Sequence, residues 1–202
     1  MYVSKINLMD DQAESIQFMQ KFSFGSIITT INNEPVATHL PFITELRNGK
    51  IMITSHFAKV NQQWQSIENN KNLIIFSEPH AYISPKNYEK ELNVPTWNYI
   101  SVHAYGFGKI LTDESLAYQV LEKTINFYEA DYKKQWDNLP KEYKNKLING
   151  IVAFEIEVLD LQGKKKLSQN RSDIEKQNII NTLSDSHQTH EKLIAEYMNN
   201  QP

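Results

Sequence analysis

The stretch GSIITTINNEPVATHLPFI, residues 25–43, decides the fold class. GSIITTI (25–31) is β-branched after an opening glycine, which predicts a strand. INNEP (31–35), rich in Asn and closed by Pro, predicts a turn. PVATHLPFI (35–43) then alternates, with Val36, Thr38 and Leu40 on one face and Ala37 and His39 on the other, so a second strand follows.

The same reading extends outward. RNG (47–49) is another turn and KIMITSH (50–56) a third strand. NLIIFSE (72–78) reads as a short buried strand and NYISVHAYGFGKIL (98–111) as a long one, where Gly106 and Gly108 predict a bulge or a close approach. GIVAFEIEVLD (150–160) is the last strand, with Val152, Phe154, Ile156 and Val158 alternating against Ala153, Glu155 and Glu157. Helices are expected over 10–22, where Asp11 and Glu14 make a capping-box pattern, and over 58–70, 113–132 and 140–149. In the third of these, Leu116, Val120 and Phe127 are expected to line one side. EPHAYISPKNYEKELNVPTW (78–97), with three prolines, reads mostly as loop. Strands with inserted helices and no regular βαβ rhythm exclude a doubly wound sheet and predict a mainly antiparallel barrel with helical decorations. A barrel domain over residues 1–171 and a C-terminal helical tail over 172–202 are expected, the tail capped by Asp173 and docking through Ile174, Ile179, Ile180 and Leu183.

Composition narrows the chemistry. The 202 residues carry no cysteine, which excludes disulfides and thiolate metal sites. The net charge of −3 gives no global attraction to nucleic acid. Neither a signal peptide nor a membrane span is visible, so a cytoplasmic location is expected. His39, His56 and His103 fall on or beside strands, but nothing in their spacing forces a metal site, and none is expected. The motifs G-x-S-x-G, H-E-x-x-H and the P-loop are absent. Glu155 and Glu157 read as the wet face of a strand.

Several stretches look over-specified for packing alone. TSHFAKVNQQW gathers Ser55, His56, Lys59 and Asn61 where a strand ends and a helix is expected to open, a good place for a phosphate. VPTWNY sets Trp97 and Asn98 after a proline-fixed bend; an indole can stack on a flat ring, and an amide can pair with the ring's hydrogen-bonding edge. Each has a plainer reading, as a loop plug or a surface lysine.

Together, ATHLPF, HFAKVNQQW, HAYISP, VPTWNY, VHAYG and KKKLSQNR, in this order and at these separations, resemble the PaiB-like family of FMN-binding negative transcriptional regulators, whose split-barrel fold is related to pyridoxamine-phosphate oxidases. The resemblance runs from the N-terminus to Arg171. One departure is Asn87, where the family usually has an aromatic before the Tyr of the Y-I-S-P-x-x-Y segment.

The resemblance implies an antiparallel split β-barrel, a homodimer and FMN at the subunit interface. It implies that Ser55, His56, Lys59 and Asn61 hold the phosphate end, that Thr38, His39 and Leu40 run beside the isoalloxazine, and that Trp97 and Asn98 close the pocket, from the same chain or from the partner. KKKLSQNR (164–171) then reads as a loop folded back near the site. Lys166 and Arg171 bring charge there, Gln169 and Asn170 bring amides, and Lys164 and Lys165 stay solvated; the plainer alternative is a basic surface turn. The function implied is repression of protease and sporulation-type genes, with DNA or a protein partner. A small FMN-dependent oxidoreductase and a flavin-sensing binding module are the alternatives. No helix-turn-helix is visible, so direct DNA contact would fall to residues 164–171 and to the lysines of 133–146.

Overall fold

The computed structural model describes residues 1–200. Eight strands are formed: β1 (Leu8–Met9), β2 (Phe24–Ile31), β3 (Glu34–Pro41), β4 (Ile43–Arg47), β5 (Lys50–Ala58), β6 (Lys71–Ile83), β7 (Thr96–Ile110) and β8 (Ile151–Lys166). Six α-helices accompany them: α1 (Gln12–Lys21), α2 (Glu114–Tyr128), α3 (Lys133–Asn138), α4 (Lys141–Asn149), α5 (Asp173–Ser184) and α6 (Thr189–Asn199). The strand order is β3-β2-β6-β7-β8-β5-β4, with β1 joined to β8 off that path. β3 and β4 stand at the two ends, so the sheet stays open. The pairings β2–β3, β2–β6, β4–β5, β5–β8 and β1–β8 are all antiparallel. This is the mainly antiparallel split barrel with inserted helices that the sequence predicts.

The chain divides into two compact units. The sheet unit comprises Ile16–Phe76 and His103–Leu161; the tail unit comprises Met1–Ser15, Ser77–Val102 and, of the described residues, 162–200.

In the sheet unit, the expected strand–turn–strand is a hairpin with Ile31 opposite Glu34, Thr38 opposite Ile27 and His39 opposite Ser26. Its turn places Asn32 and Asn33 at φ 51° and 65°, a region asparagine tolerates better than most residues. The apolar face of each strand closes on a core that includes Ile27, Phe42, Ile53, Phe57, Ile74, Phe76, Phe154 and Ile156. Phe57 stacks on Phe154 at 4.8 Å, and Phe42 meets Phe76 edge-on at 5.6 Å. Each such side chain contributes about 1.5–3 kcal/mol by leaving water. α2 starts where Asp113 accepts a hydrogen bond from Ser115 N, and it buries Ala117 and Val120 against Ile148 and Ala153. Leu116 and Phe127, expected on the buried side, are 37% and 41% exposed. Glu155 and Glu157 do lie on a wet face, paired with Arg47 and Lys50.

The helix expected over 58–70 shrinks to a single 3-10 turn, Gln62–Ser66. Val60 is 90% exposed, so the Val60–Trp64–Ile67 spacing presents no apolar stripe. Asn72 Nδ2 also takes the carbonyls of Ile67 and Asn70 (2.7 and 2.9 Å), which holds the chain in a turn instead. Gly106 and Gly108 mark close approaches. A Cβ on Gly106 would lie 2.2 Å from Glu157 O, and one on Gly108 would lie 2.7 Å from Ile67 Cγ1.

In the tail unit, β1 pairs Leu8 with Lys164 and Met9 with Gly163. β6 runs on to Ile83 and β8 to Lys166, each beyond the strand the sequence delimits. α5 is capped by Ser172, whose Oγ accepts from Glu175 N; Asp173, the expected cap, is the first helical residue. Ile179, Ile180 and Leu183 of α5 and Ile194, Ala195 and Met198 of α6 are buried, whereas Ile174 is 60% exposed. Asn87, the departure from the family pattern, is buried and anchors α5. Its Oδ1 accepts from Thr182 Oγ1 at 2.8 Å and its carbonyl from Asn178 Nδ2 at 3.2 Å.

Candidate functional site

The residues singled out by sequence fall into two groups, one in each unit. In the sheet unit, Thr38, His39 and Leu40 lie on β3, Ser55 and His56 on β5, and Lys59 and Asn61 just beyond β5. A buried glutamine, Gln63, ties these segments together. Thr38 Oγ1 donates to Gln63 Oε1 at 2.6 Å and accepts from Asn61 Nδ2 at 2.9 Å. Asn61 Oδ1 accepts from Gln63 N at 3.0 Å, capping the 3-10 turn. Gln63 Nε2 reaches Ile27 O, Thr29 Oγ1 and Val36 O at 3.1–3.2 Å. Thr29 Oγ1 continues to Asn72 Oδ1 at 2.6 Å. Buried amides and hydroxyls are costly unless paired, and here they pair with one another.

That network sorts the candidate donors. Thr38 and Asn61 are committed within it. Ser55 is buried and its Oγ donates to Pro41 O at 2.6 Å, so it is committed as well. His56 is half-buried opposite Ala153, and burial lowers its pKa, which leaves the imidazole neutral near pH 7. His39 faces outward with its ring stacked on that of Phe24. Lys59 is exposed, and its ammonium has no hydrogen bond or ion pair among the described residues. It borders a cleft of about 360 Å³ whose lining includes Trp64, Leu111, Ile148, Val152 and the acidic pair Asp113 and Glu114. Trp64 Nε1 donates to Lys59 O at 3.1 Å, fixing the indole beside the lysine's backbone.

In the tail unit, Asn98 is fully buried: its Oδ1 accepts from Ser168 Oγ at 3.1 Å, and its Nδ2 lies 3.5 Å from Met198 Sδ. Trp97 is 53% exposed with its ring beside His80 and Tyr82. KKKLSQNR is neither a tail nor a loop throughout. Lys164–Lys166 end β8, and a tight turn follows in which Arg171 N donates to Ser168 O. Ser168 takes φ 58°, left-handed backbone that a residue with a Cβ adopts rarely. Gln169 closes the turn on itself, with Oε1 accepting from Leu167 N and Nε2 donating to Lys165 O. Lys166 Nζ donates to Thr96 Oγ1 and, at 2.9 Å, to Trp97 O; burial pulls its pKa below the ordinary lysine value. Arg171 packs its guanidinium 3.7 Å from the Tyr88 ring centroid, donates to Asn93 Oδ1 and pairs with Glu175. Lys164 and Lys165, expected to be solvated, are engaged: Lys164 is buried over the Tyr99 ring, and Lys165 pairs with Glu14. Asn170 is exposed, and its amide has no partner among the described residues.

Sequence reasoning missed Gln63, Asn72 and Ser168. The one signal available was the Asn61-x-Gln63 spacing, which allows an asparagine cap on a short turn. Among the described residues, no cluster of three or more His, Asp or Glu that would hold a metal is present.

An open, mainly antiparallel sheet with these motif segments on β3, β5, β7 and β8 belongs to the class of flavin-binding split barrels. The family model described as "Putative FMN-binding domain" matches residues 1–160, and the chain belongs to this FMN-binding, PaiB-like family. The "Protease synthase and sporulation protein PAI 2" of Bacillus subtilis (strain 168) is 39% identical over 201 residues, covering 98% of this chain and 96% of that protein. Two solved structures share the fold. One is a flavocytochrome from Azotobacter vinelandii (TM-score 0.60, 15% identity, 82% of this chain and 72% of that one). The other is the FAD and heme binding protein of Mycobacterium smegmatis (TM-score 0.63, 8% identity, 79% of this chain and 73% of that one). The expected cofactor, FMN, is the family's cofactor.

FMN carries a phosphate dianion and a flat, largely apolar ring system with one hydrogen-bonding edge. Among the described residues Lys59 offers an unpartnered ammonium beside a cleft with an indole in its wall, a cation and a flat ring of the kind a phosphate and a ring system need, while the carboxylates of Asp113 and Glu114 in the same lining oppose an anion there. The exposed imidazole of His39 and the ring of Phe24 offer aromatic surface on the edge strand β3.

Proposed function

We propose that this protein is an FMN-binding negative transcriptional regulator of protease and sporulation-type genes, acting as a cytoplasmic homodimer on DNA or a protein partner. The observation that carries the reading is the 39% identity, spanning 98% of this chain, with a protein named for protease synthesis and sporulation. Lys59 is the residue for the flavin phosphate, with Thr38, His39 and Leu40 beside the ring and His56 as a neutral imidazole nearby in sequence. Ser55 and Asn61 serve the site as framework, since their polar atoms are already bonded within the protein. Trp97 supplies an exposed indole for ring stacking, while Asn98 and Gln169 shape the segments around it. No helix in the described residues is long and apolar enough to cross a membrane.

The test is the visible spectrum of the purified protein after FMN is added and free flavin removed, with light scattering to read the dimer. Retained flavin that falls tenfold or more in affinity with Lys59→Ala, and stays near wild type with Ser55→Ala, supports the reading. Flavin uptake indifferent to Lys59 counts against it. For the regulatory step, DNA affinity should fall steeply with salt if lysines neutralise phosphates; salt-insensitive binding rejects direct contact and leaves a protein partner.

A second reading is a small FMN-dependent oxidoreductase: the two structures that share the fold are named as a flavocytochrome and as an FAD and heme binding protein. Bound FMN would supply the electron transfer, and the protein would supply binding and exclusion of water. Oxidation of a reduced nicotinamide by the FMN-loaded protein, above the rate with free FMN, would support it.

A further inference from the structure

A second cleft, also about 360 Å³, lies wholly within the tail unit. Its wall combines apolar groups of Ile6, Val94 and Pro95 with polar groups of Asn7, Lys166 and Asn170. Ile6 and Val94 are 54% and 72% exposed, unusual for apolar side chains that share one concavity. Most of the other polar groups in the lining already have partners. Arg171 is balanced by Glu175 and bonded to Asn93, Gln169 is closed on its own turn, Ser168 Oγ is bonded to Asn98, and Asn7 Nδ2 donates to Ser4 Oγ. Lys166 is different. An ammonium has three N–H donors, and two are directed at Thr96 Oγ1 and Trp97 O, so one remains. The amide of Asn170 is free. The strained φ of Ser168 makes the turn that brings Lys166 and Asn170 to the same cleft, and such strain clusters at ligand clamps. The cleft therefore offers one uncompensated positive charge, a neutral amide and an apolar wall. That is too little for a phosphate dianion, and it suits a single carboxylate on an apolar body.

We propose that the tail-unit cleft binds a small organic monocarboxylate, its carboxylate on Lys166 Nζ and the Asn170 amide and its apolar body against Ile6, Val94 and Pro95. The site does not rest on the FMN reading: neither Lys59 nor Trp97 is in the lining of this cleft, although Lys166 Nζ is bonded to the Trp97 carbonyl. Because burial holds the Lys166 ammonium below its ordinary pKa, affinity should decline as alkaline pH removes that proton.

The experiment is a calorimetric titration of the full chain with benzoate, with benzyl alcohol as an uncharged twin. Saturable benzoate binding is expected, at least tenfold tighter than benzyl alcohol. It should weaken tenfold or more in Lys166→Met and in Asn170→Asp, persist in Lys59→Ala, and survive saturation with FMN. Lys166 has internal partners, so its variant is checked for folding; Asn170 is exposed and reads the site even if Lys166→Met fails to fold. Absent binding, equal affinity for benzyl alcohol, full affinity in Asn170→Asp, or displacement of benzoate by FMN would each overturn the proposal. Loss of flavin in Lys59→Ala with benzoate binding intact would separate the two sites, and an FMN-indifferent protein that still binds benzoate would sink only the flavin reading.

Discussion

Replacing Gln63 by alanine removes the centre of the sheet unit's polar network. The side chain is 2% exposed, so water does not substitute for it in the folded state. Its Oε1 takes the Thr38 hydroxyl, and its two amide hydrogens serve three acceptors, Ile27 O, Thr29 Oγ1 and Val36 O. Three full hydrogen bonds at about 1 kcal/mol net each give about 3 kcal/mol. Two of the abandoned acceptors are backbone carbonyls, and an unpaired buried group carries a penalty of its own of about 1–3 kcal/mol, so about 4–6 kcal/mol is the expected loss. Urea unfolding followed by both far-UV dichroism and tryptophan fluorescence measures it and tests whether one transition describes the chain. Gln62→Ala, next door and exposed, should change stability by less than about 0.5 kcal/mol. Amide exchange across β3 should quicken in the Gln63 variant, because Thr38 loses one of its two ties to the turn and keeps only the bond from Asn61. A loss under about 1 kcal/mol would show that the network is replaceable by local water or by rearrangement, and the account of how β3 is fixed would fail.

Two further outcomes follow from the sheet unit. Gly106→Ala should destabilise by about 3 kcal/mol, because the new methyl would sit 2.2 Å from the carbonyl of Glu157 and push β7 and β8 apart; a thermal midpoint within a degree or two of wild type would contradict that close approach. Stability should also fall on acidification below pH 6.5. Burial depresses the pKa of His56 from its ordinary 6.5, and that of His103 likewise. In the interval between the depressed values and 6.5 the unfolded chain holds protons that the folded chain refuses. Stability therefore rises with pH across that window and is fully present above it. A His56→Asn, His103→Asn double variant should flatten this acid-side slope in a plot of Tm against pH, and an unchanged slope would refute the assignment.

The sheet was legible in the sequence because its signals are local and repeated. β-branched runs, Asn-rich turns and period-two alternation each act within a few residues, and antiparallel neighbours needed no long-range guess. What failed were the places where a distant side chain decides. The stretch after Ala58 has helical spacing, yet Asn72 captures its carbonyls from five residues downstream and Gln63 binds backbone from two other strands, so a turn wins over a helix. No periodicity records that. The same holds for the candidate site. The sequence separates polar residues by type, and the structure separates them by what they already hold. Ser55, Asn61, Asn98 and Gln169 look like ligand donors in isolation but are internal partners, and Lys59, His39, Lys166 and Asn170 are the ones with capacity left. Asn87 reverses the lesson. Read as a lost aromatic it suggests a weakened pocket, whereas its bonds to Asn178 and Thr182 make it the residue that seats α5. An aromatic at this position would keep the main-chain carbonyl that Asn178 binds but would lose the buried Oδ1 that Thr182 binds, so the departure from the family pattern is coupled, through Thr182, to how this chain docks α5.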